Sequence, residues 1–173
     1  VVNDLSAKGV KIVSAPEEVE PGYTLVIRSH GVGKERIAEI ERLHIPYVNA
    51  TCPYVGKIHK IVGETPEEGL VLIAGDENHP EIIGIRGHSR APSFVFRSAE
   101  ELADAVQKHP EWNEKEVFLV SQTTFHVNEW EKCMKIIKKV YTNAVVFDTI
   151  CKATEKRQQE AELLSKECDA MIV

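Results

Sequence analysis

Short apolar runs alternate with amphipathic segments along the whole chain, and few architectures accept that alternation. The apolar runs lie at Lys11 to Val13, Tyr23 to Ile27, Pro46 to Val48, Leu70 to Ala74, Phe94 to Phe96, Glu116 to Val120, Ala144 to Phe147 and Ala170 to Val173. Several are nearly continuous Val, Ile and Leu, which predicts strands covered on both faces. Between them lie segments with apolar residues at helical spacing, such as Ile37, Ile40 and Leu43, or Trp130, Cys133, Met134, Ile137 and Val140. Helices are expected from the first residues to Gly9, over Lys34 to His44, from Pro53 onward, over Glu100 to Lys108 behind a Ser98 cap, over Glu129 to Val140, and from Cys151 to about Glu167. Pro16 to Pro21 reads as an acidic connector. The fold class that follows is α/β, with repeated strand-helix units and mostly parallel sheets. In such folds ligands gather beyond the carboxyl ends of the strands.

With 173 residues, of which 43% are hydrophobic and 28% charged, the chain has ample material for a core. The formal net charge is -6, and no long segment carries a basic stripe. That excludes a general nucleic-acid or membrane-surface binder, so any phosphate must be held locally. Apolar runs such as Leu70 to Ala74 are too short to span a bilayer, and no basic-then-apolar signal opens the chain. The expected compartment is cytoplasmic. The four cysteines are widely spaced, unlike those of a secreted disulfide scaffold, and reduced thiols are expected. The chain opens without methionine on a helix already under way and stops inside a strand, which reads as an excised fragment.

Five strand-to-helix junctions carry reactive or polar residues: His30, Cys52, His79 with Glu81, Thr123, and Cys151. Of the other histidines, His44, His59, His88 and His109 have no such placement and are expected on outer helix faces. Cys52 and Cys151 each follow a strand and a threonine and each open a helix, where free N–H groups and the helix dipole favour an anion such as thiolate. Two such thiolates could converge on one metal, zinc or iron-sulfur; each alone could equally be a small buried cysteine behind a cap. Cys133 sits on an apolar stripe and is expected in the core, as is Cys168 at a helix end.

Ser29-His30-Gly31-Val32-Gly33 offers an imidazole, a hydroxyl and backbone N–H groups to an anion, or is a plain turn. His79-Pro80-Glu81 places a hydrogen-bond donor beside a carboxylate suited to proton delivery, or is a surface cap. Gln122-Thr123-Thr124 is uncharged and polar directly after a buried strand, as a helix cap or a substrate-orienting turn would be.

Taken together, Ser29-His30-Gly31-Val32, Ala50-Thr51-Cys52-Pro53, Asn78-His79-Pro80-Glu81, Gln122-Thr123-Thr124 and Thr149-Ile150-Cys151, followed by Ala153-Thr154 and Arg157-Gln158, resemble one family. It is 4-hydroxy-3-methylbut-2-enyl diphosphate reductase, the iron-sulfur enzyme that ends the non-mevalonate isoprenoid route. The motifs come in the family's order, at close to its spacings, over essentially the whole chain. The resemblance implies a three-unit, trefoil-like architecture of which this chain is a fragment: residues 1–52 the latter part of the first unit, 53–148 the complete second, 149–173 the start of the third. It implies that Cys52 and Cys151 are two of three thiolate ligands of a four-iron four-sulfur cluster, the third cysteine lying outside this chain. His30 and His79, with Gln122 and Thr123, would bind the substrate. Glu81 would relay protons to the leaving hydroxyl, and Thr123 would orient the hydroxymethyl end. Ferredoxin or flavodoxin would be the electron donor.

The family's first cluster cysteine, another diphosphate-binding histidine, and the serine and asparagine residues that complete the diphosphate site have no counterpart here, so this polypeptide alone is expected to be inactive. The rival readings are a zinc protein built on Cys52, Cys151 and histidines, and a non-catalytic diphosphate-binding module. A cysteine-nucleophile hydrolase would need a histidine held against Cys52 or Cys151, and no motif specifies one.

Overall fold

The computed structural model describes residues 2–172. After a short helix α1 (Val2–Ala7), strand β1 (Leu25–Ile27), helix α2 (Lys34–Arg42), strand β2 (Tyr47–Asn49) and helix α3 (Pro53–Glu64) build the first layer set. The second follows as β3 (Leu70–Ala74), α4 (Pro80–Arg86), β4 (Ser93–Phe96), α5 (Ala99–Lys108), β5 (Val117–Ser121), α6 (Val127–Val140) and β6 (Val145–Val146), with α7 (Lys152–Glu167) last. Every strand pairing is parallel: β1 with β2 in one sheet, and the order β4-β3-β5-β6 in the other.

The larger sheet explains its sequence residue by residue. Side chains alternate across a strand, so Leu70, Leu72, Ala74, Val117 and Leu119 enter the core shared with α5 and α6. Val71, Ile73 and Val120 enter the core shared with α3 and α4, through Ile58, Val62, Ile82 and Ile85. All five residues of β3 are buried, and a continuous apolar run is what a strand covered on both faces requires. The chain leaves β3 towards β4 on one side and returns to β5 on the other. The carboxyl ends of β3 and β5 therefore flank a topological switch point, where a crevice opens.

The two sheets are locked by backbone. Lys34 N–H donates to Gly87 O at 3.2 Å, and a Cβ built on Gly87 would stand 2.7 Å from Gly33 Cα. Only two bare backbones fit there.

Five expectations are corrected. Lys11 to Val13 forms no strand: Ile12 is 76% exposed, and Lys11 instead bonds Glu20 and lies over the Tyr23 ring. β1 is shorter than its apolar run, and neither β1 nor β2 is buried throughout: Ile27 is buried, but Val26 and Val48 project from an uncovered sheet face. Cys168 is exposed, and residues 170–172 form no strand because no described strand pairs with them; Val173 lies outside the described residues. His59 is buried rather than on an outer face. Cys133 is fully buried as expected, its thiol pushed up to about 12 chiefly by burial.

Candidate active site at the strand carboxyl ends

The sequence-predicted residues all sit at carboxyl ends of parallel strands: His30 after β1, Cys52 after β2, His79 and Glu81 after β3, Thr123 after β5 and Cys151 after β6. The two cysteines are built alike. Cys52 is the N-cap of α3, whose first residue is Pro53, and Cys151 is the N-cap of α7. Each donates its backbone N–H to a polar turn after a neighbouring strand, Cys52 to Ser29 O and Cys151 to Thr123 O, both at 2.9 Å. Both thiols are free and half-buried, with the unbonded N–H groups of a helix start behind them.

Glu81 occupies the switch point. It is 2% exposed, and its two carboxylate oxygens accept from Thr123 N–H at 2.6 Å and Thr123 Oγ1 at 2.8 Å. Burying a carboxyl group requires this satisfaction. Thr123 thereby keeps its Oγ1 lone pairs free to accept from a second group.

His79 caps α4 by accepting Glu81 N–H on Nδ1 at 3.1 Å. In the neutral ring that acceptance puts the proton on Nε2. The His30 ring meets it edge-on at 5.2 Å between centroids. His30 Nδ1 is buried without a partner, and burial, then Arg28 and His79, hold its pKa below the ordinary range, against an opposing pull from Glu81. Gln122 braces the turn: its Oε1 accepts from Asp76 N–H at 3.2 Å and its Nε2 donates to Thr124 Oγ1 at 2.9 Å. A cavity of ≈ 350 Å³ opens beside it, lined by Asp76, Arg97, His126 and Glu129, and touches no other predicted site residue.

These contacts form one unbroken path, from Cys52 through the Ser29-His30 turn to His79, Glu81, Thr123 and Cys151. Among the described residues, no group of three or more His, Cys, Asp or Glu is placed to hold a metal ion.

Two features escaped sequence reasoning. Thr149 is buried, accepts from Ser121 N–H at 2.7 Å and donates to Ser121 O at 2.9 Å, tying the approach of Cys151 to the end of β5. Nothing local in Asp148-Thr149-Ile150 signals it. His59 shares the inner face of α3 with Val55, Ile58 and Val62, and its place four residues after Val55 was a usable signal.

Comparison with known proteins finds relatives over essentially the whole chain. A 4-hydroxy-3-methylbut-2-enyl diphosphate reductase of Caldanaerobacter subterraneus subsp. tengcongensis is 38% identical over 177 residues, covering 100% of this chain and 59% of the relative. The protein of the same name from Thermotoga maritima is 33% identical, with 100% of this chain and 58% of the relative covered. The chain thus spans about six tenths of the length of these relatives. Among solved structures, that of (E)-4-hydroxy-3-methyl-but-2-enyl diphosphate reductase, described as the terminal enzyme of the non-mevalonate pathway, matches with a TM-score of 0.75 and 32% identity, covering 97% of this chain and 59% of that one. The Plasmodium falciparum reductase shares the fold, with a TM-score of 0.85 at 22% identity over 96% of this chain and 52% of that one. The family model described as LytB protein matches residues 1–173, and the chain belongs to that family.

Proposed function

We propose that this chain is part of an enzyme that reductively removes the hydroxyl of 4-hydroxy-3-methylbut-2-enyl diphosphate. Two electrons and two protons release water and leave isopentenyl and dimethylallyl diphosphates. The observation that supports the reading is the unbroken path of contacts at the strand carboxyl ends, which links the backbones of Cys52 and Cys151 through two imidazoles, a buried carboxyl and a hydroxyl.

The donor set fits an iron-sulfur cluster as far as it extends: two free thiols, each at the start of a helix whose N–H groups stabilise sulfur charge. Cys52 and Cys151 would hold a four-iron four-sulfur cluster with a third cysteine outside this chain, and the cluster supplies the electrons. His79, with its proton on Nε2, donates to a diphosphate oxygen, and His30 lies edge-on beside it as the second donor. Glu81 would relay a proton towards the leaving hydroxyl through its contact with Thr123 Oγ1, and Thr123 would orient the hydroxymethyl end. Gln122 contributes to substrate binding by holding the turn that presents Thr123.

In this reading residues 1–52, 53–148 and 149–173 belong to three successive α/β units, the enzyme is cytoplasmic, and ferredoxin or flavodoxin delivers the electrons. No helix among the described residues is long and apolar enough to cross a membrane. The deciding experiment is anaerobic iron and acid-labile sulfide analysis of the full-length protein, with electron paramagnetic resonance and turnover. Cluster and turnover together are expected; zinc without sulfide overturns the reading. Glu81→Gln is expected to keep the cluster and lower turnover about 10²–10⁴-fold.

A further inference from the structure

His59 and His88 belong to none of the roles above, yet they stand where the carriers of those roles meet. Their rings stack at 4.0 Å between centroids and 14° between planes. His59 comes from α3, the helix capped by Cys52. His88 follows α4, the helix that carries Glu81, and its Nε2–H donates to Val32 O at 2.9 Å in the His30 turn. On its other side His59 fills the space left by two glycines. A Cβ on Gly31, which has φ 70, would lie 2.5 Å from His59 Cε1, and a Cβ on Gly84 of α4 would lie 3.3 Å from His59 Nε2 and 3.5 Å from His30 O.

The fit is of shape rather than of hydrogen bonding. His59 Nε2 is buried with no hydrogen-bond partner. Its flat ring is therefore held for what it packs against. Burial and then His88 hold His59 down to about 4, and burial, joined by Lys34 and opposed by the bond to Val32 O, lowers His88.

We propose that His59 and His88 are positioning residues, a stacked imidazole pair wedged between the Gly31-Val32 turn and α4 that sets His30 against His79. This rests on the diphosphate-binding role proposed for His30 and His79. Removing the ring lets the turn relax into the vacated space, which weakens binding of the diphosphate end without touching the proton-delivering pair Glu81 and Thr123.

The test uses the full-length, anaerobically prepared protein with His59→Ala, His59→Phe and His88→Ala. His59→Ala is expected to raise KM for the substrate and Kd for inorganic pyrophosphate about tenfold, with kcat held within about threefold. His59→Phe, which restores a flat ring, is expected to return both constants to within about threefold of the unsubstituted protein. Where His59→Ala fails to fold, His88→Ala, at the half-buried rim, is expected to show the same KM-against-kcat split. Unchanged KM and Kd in the folded alanine variant overturn the proposal, and so does a phenylalanine variant as weak as alanine, since a lost imidazole would then be the cause. If the unsubstituted protein neither binds pyrophosphate nor turns over substrate, the functional reading fails instead. The positioning claim is then decided by hydrogen exchange at Gly31 and Val32, which must quicken in His59→Ala and not in His59→Phe.

Discussion

The two cysteine junctions reach the same local geometry from opposite directions. At Cys52 the anchor is downstream: α3 buries Val55, Ile58, His59 and Val62, while the preceding Thr51 is half-exposed and bonds only Asn49. At Cys151 the anchor is upstream: Thr149 is buried and doubly bonded to Ser121, while α7 buries no residue in this chain and leaves Leu163 62% exposed. A thiol can thus be aimed by the helix it begins or by the strand it leaves. Chemically equivalent positions need not be mechanically equivalent ones.

Substitutions should separate the two schemes. The largest effect is chemical and blind to the difference: Cys52→Ser and Cys151→Ser in the full-length protein should each cut turnover at least about 100-fold, with loss of the cluster signal in electron paramagnetic resonance. A loss at one position only would make the junctions unequal in chemistry too. Next, Ile58→Ala should destabilise the 173-residue chain by about 2–5 kcal/mol in urea unfolding, because it opens a cavity beneath α3. Thr149→Val should cost about 1–3 kcal/mol by leaving Ser121 N–H buried and unpaired. The crossed controls, Leu164→Ala and Thr51→Ala, should stay within about 0.5 kcal/mol; a larger loss at either would collapse the distinction.

The α3 anchor should also carry a pH signature that the α7 anchor lacks. His59 is lowered from 6.5 to about 4 by burial and by His88, so between those values the unfolded chain binds a proton that the folded chain refuses. Stability contributed by the neutral ring is complete above 6.5 and is lost as pH falls towards 4. Urea midpoints measured across that window should fall more steeply for the unsubstituted chain than for His59→Phe.

What the sequence disclosed follows from how far apart the causes lie. The strands β3 and β5 were legible because a continuous apolar run has only one use in an alternating α/β chain, and the helices because their caps and inner stripes are local. Five junctions could be named because Cys, His, Glu and Thr directly after apolar runs stand out against their neighbours. The tie of Thr149 to Ser121 was not legible, since it joins residues 28 positions apart through one hydroxyl. His59 was misplaced because a histidine is ordinarily polar enough for an outer face, and only the glycines at 31 and 84, distant in sequence, make room for it inside. Lys11 to Val13 looked like a strand by composition, but a strand is a pairing, and no partner is written in the run itself.

The contact of Gly33 with Gly87 bears on how such a protein can change over generations. An interface lined with side chains drifts readily, because a loss of volume on one side can be matched by a gain on the other. A seam of two glycine backbones has no such pairs of compensating substitutions: any residue larger than glycine at 87 would meet Gly33 Cα at 2.7 Å. At this one contact the segment after β1 that carries His30 and the helix that carries Glu81 meet without side chains, so the approach there is held while the neighbouring packing of Ile58 and Val62 against Ile82 and Ile85 can drift by compensation.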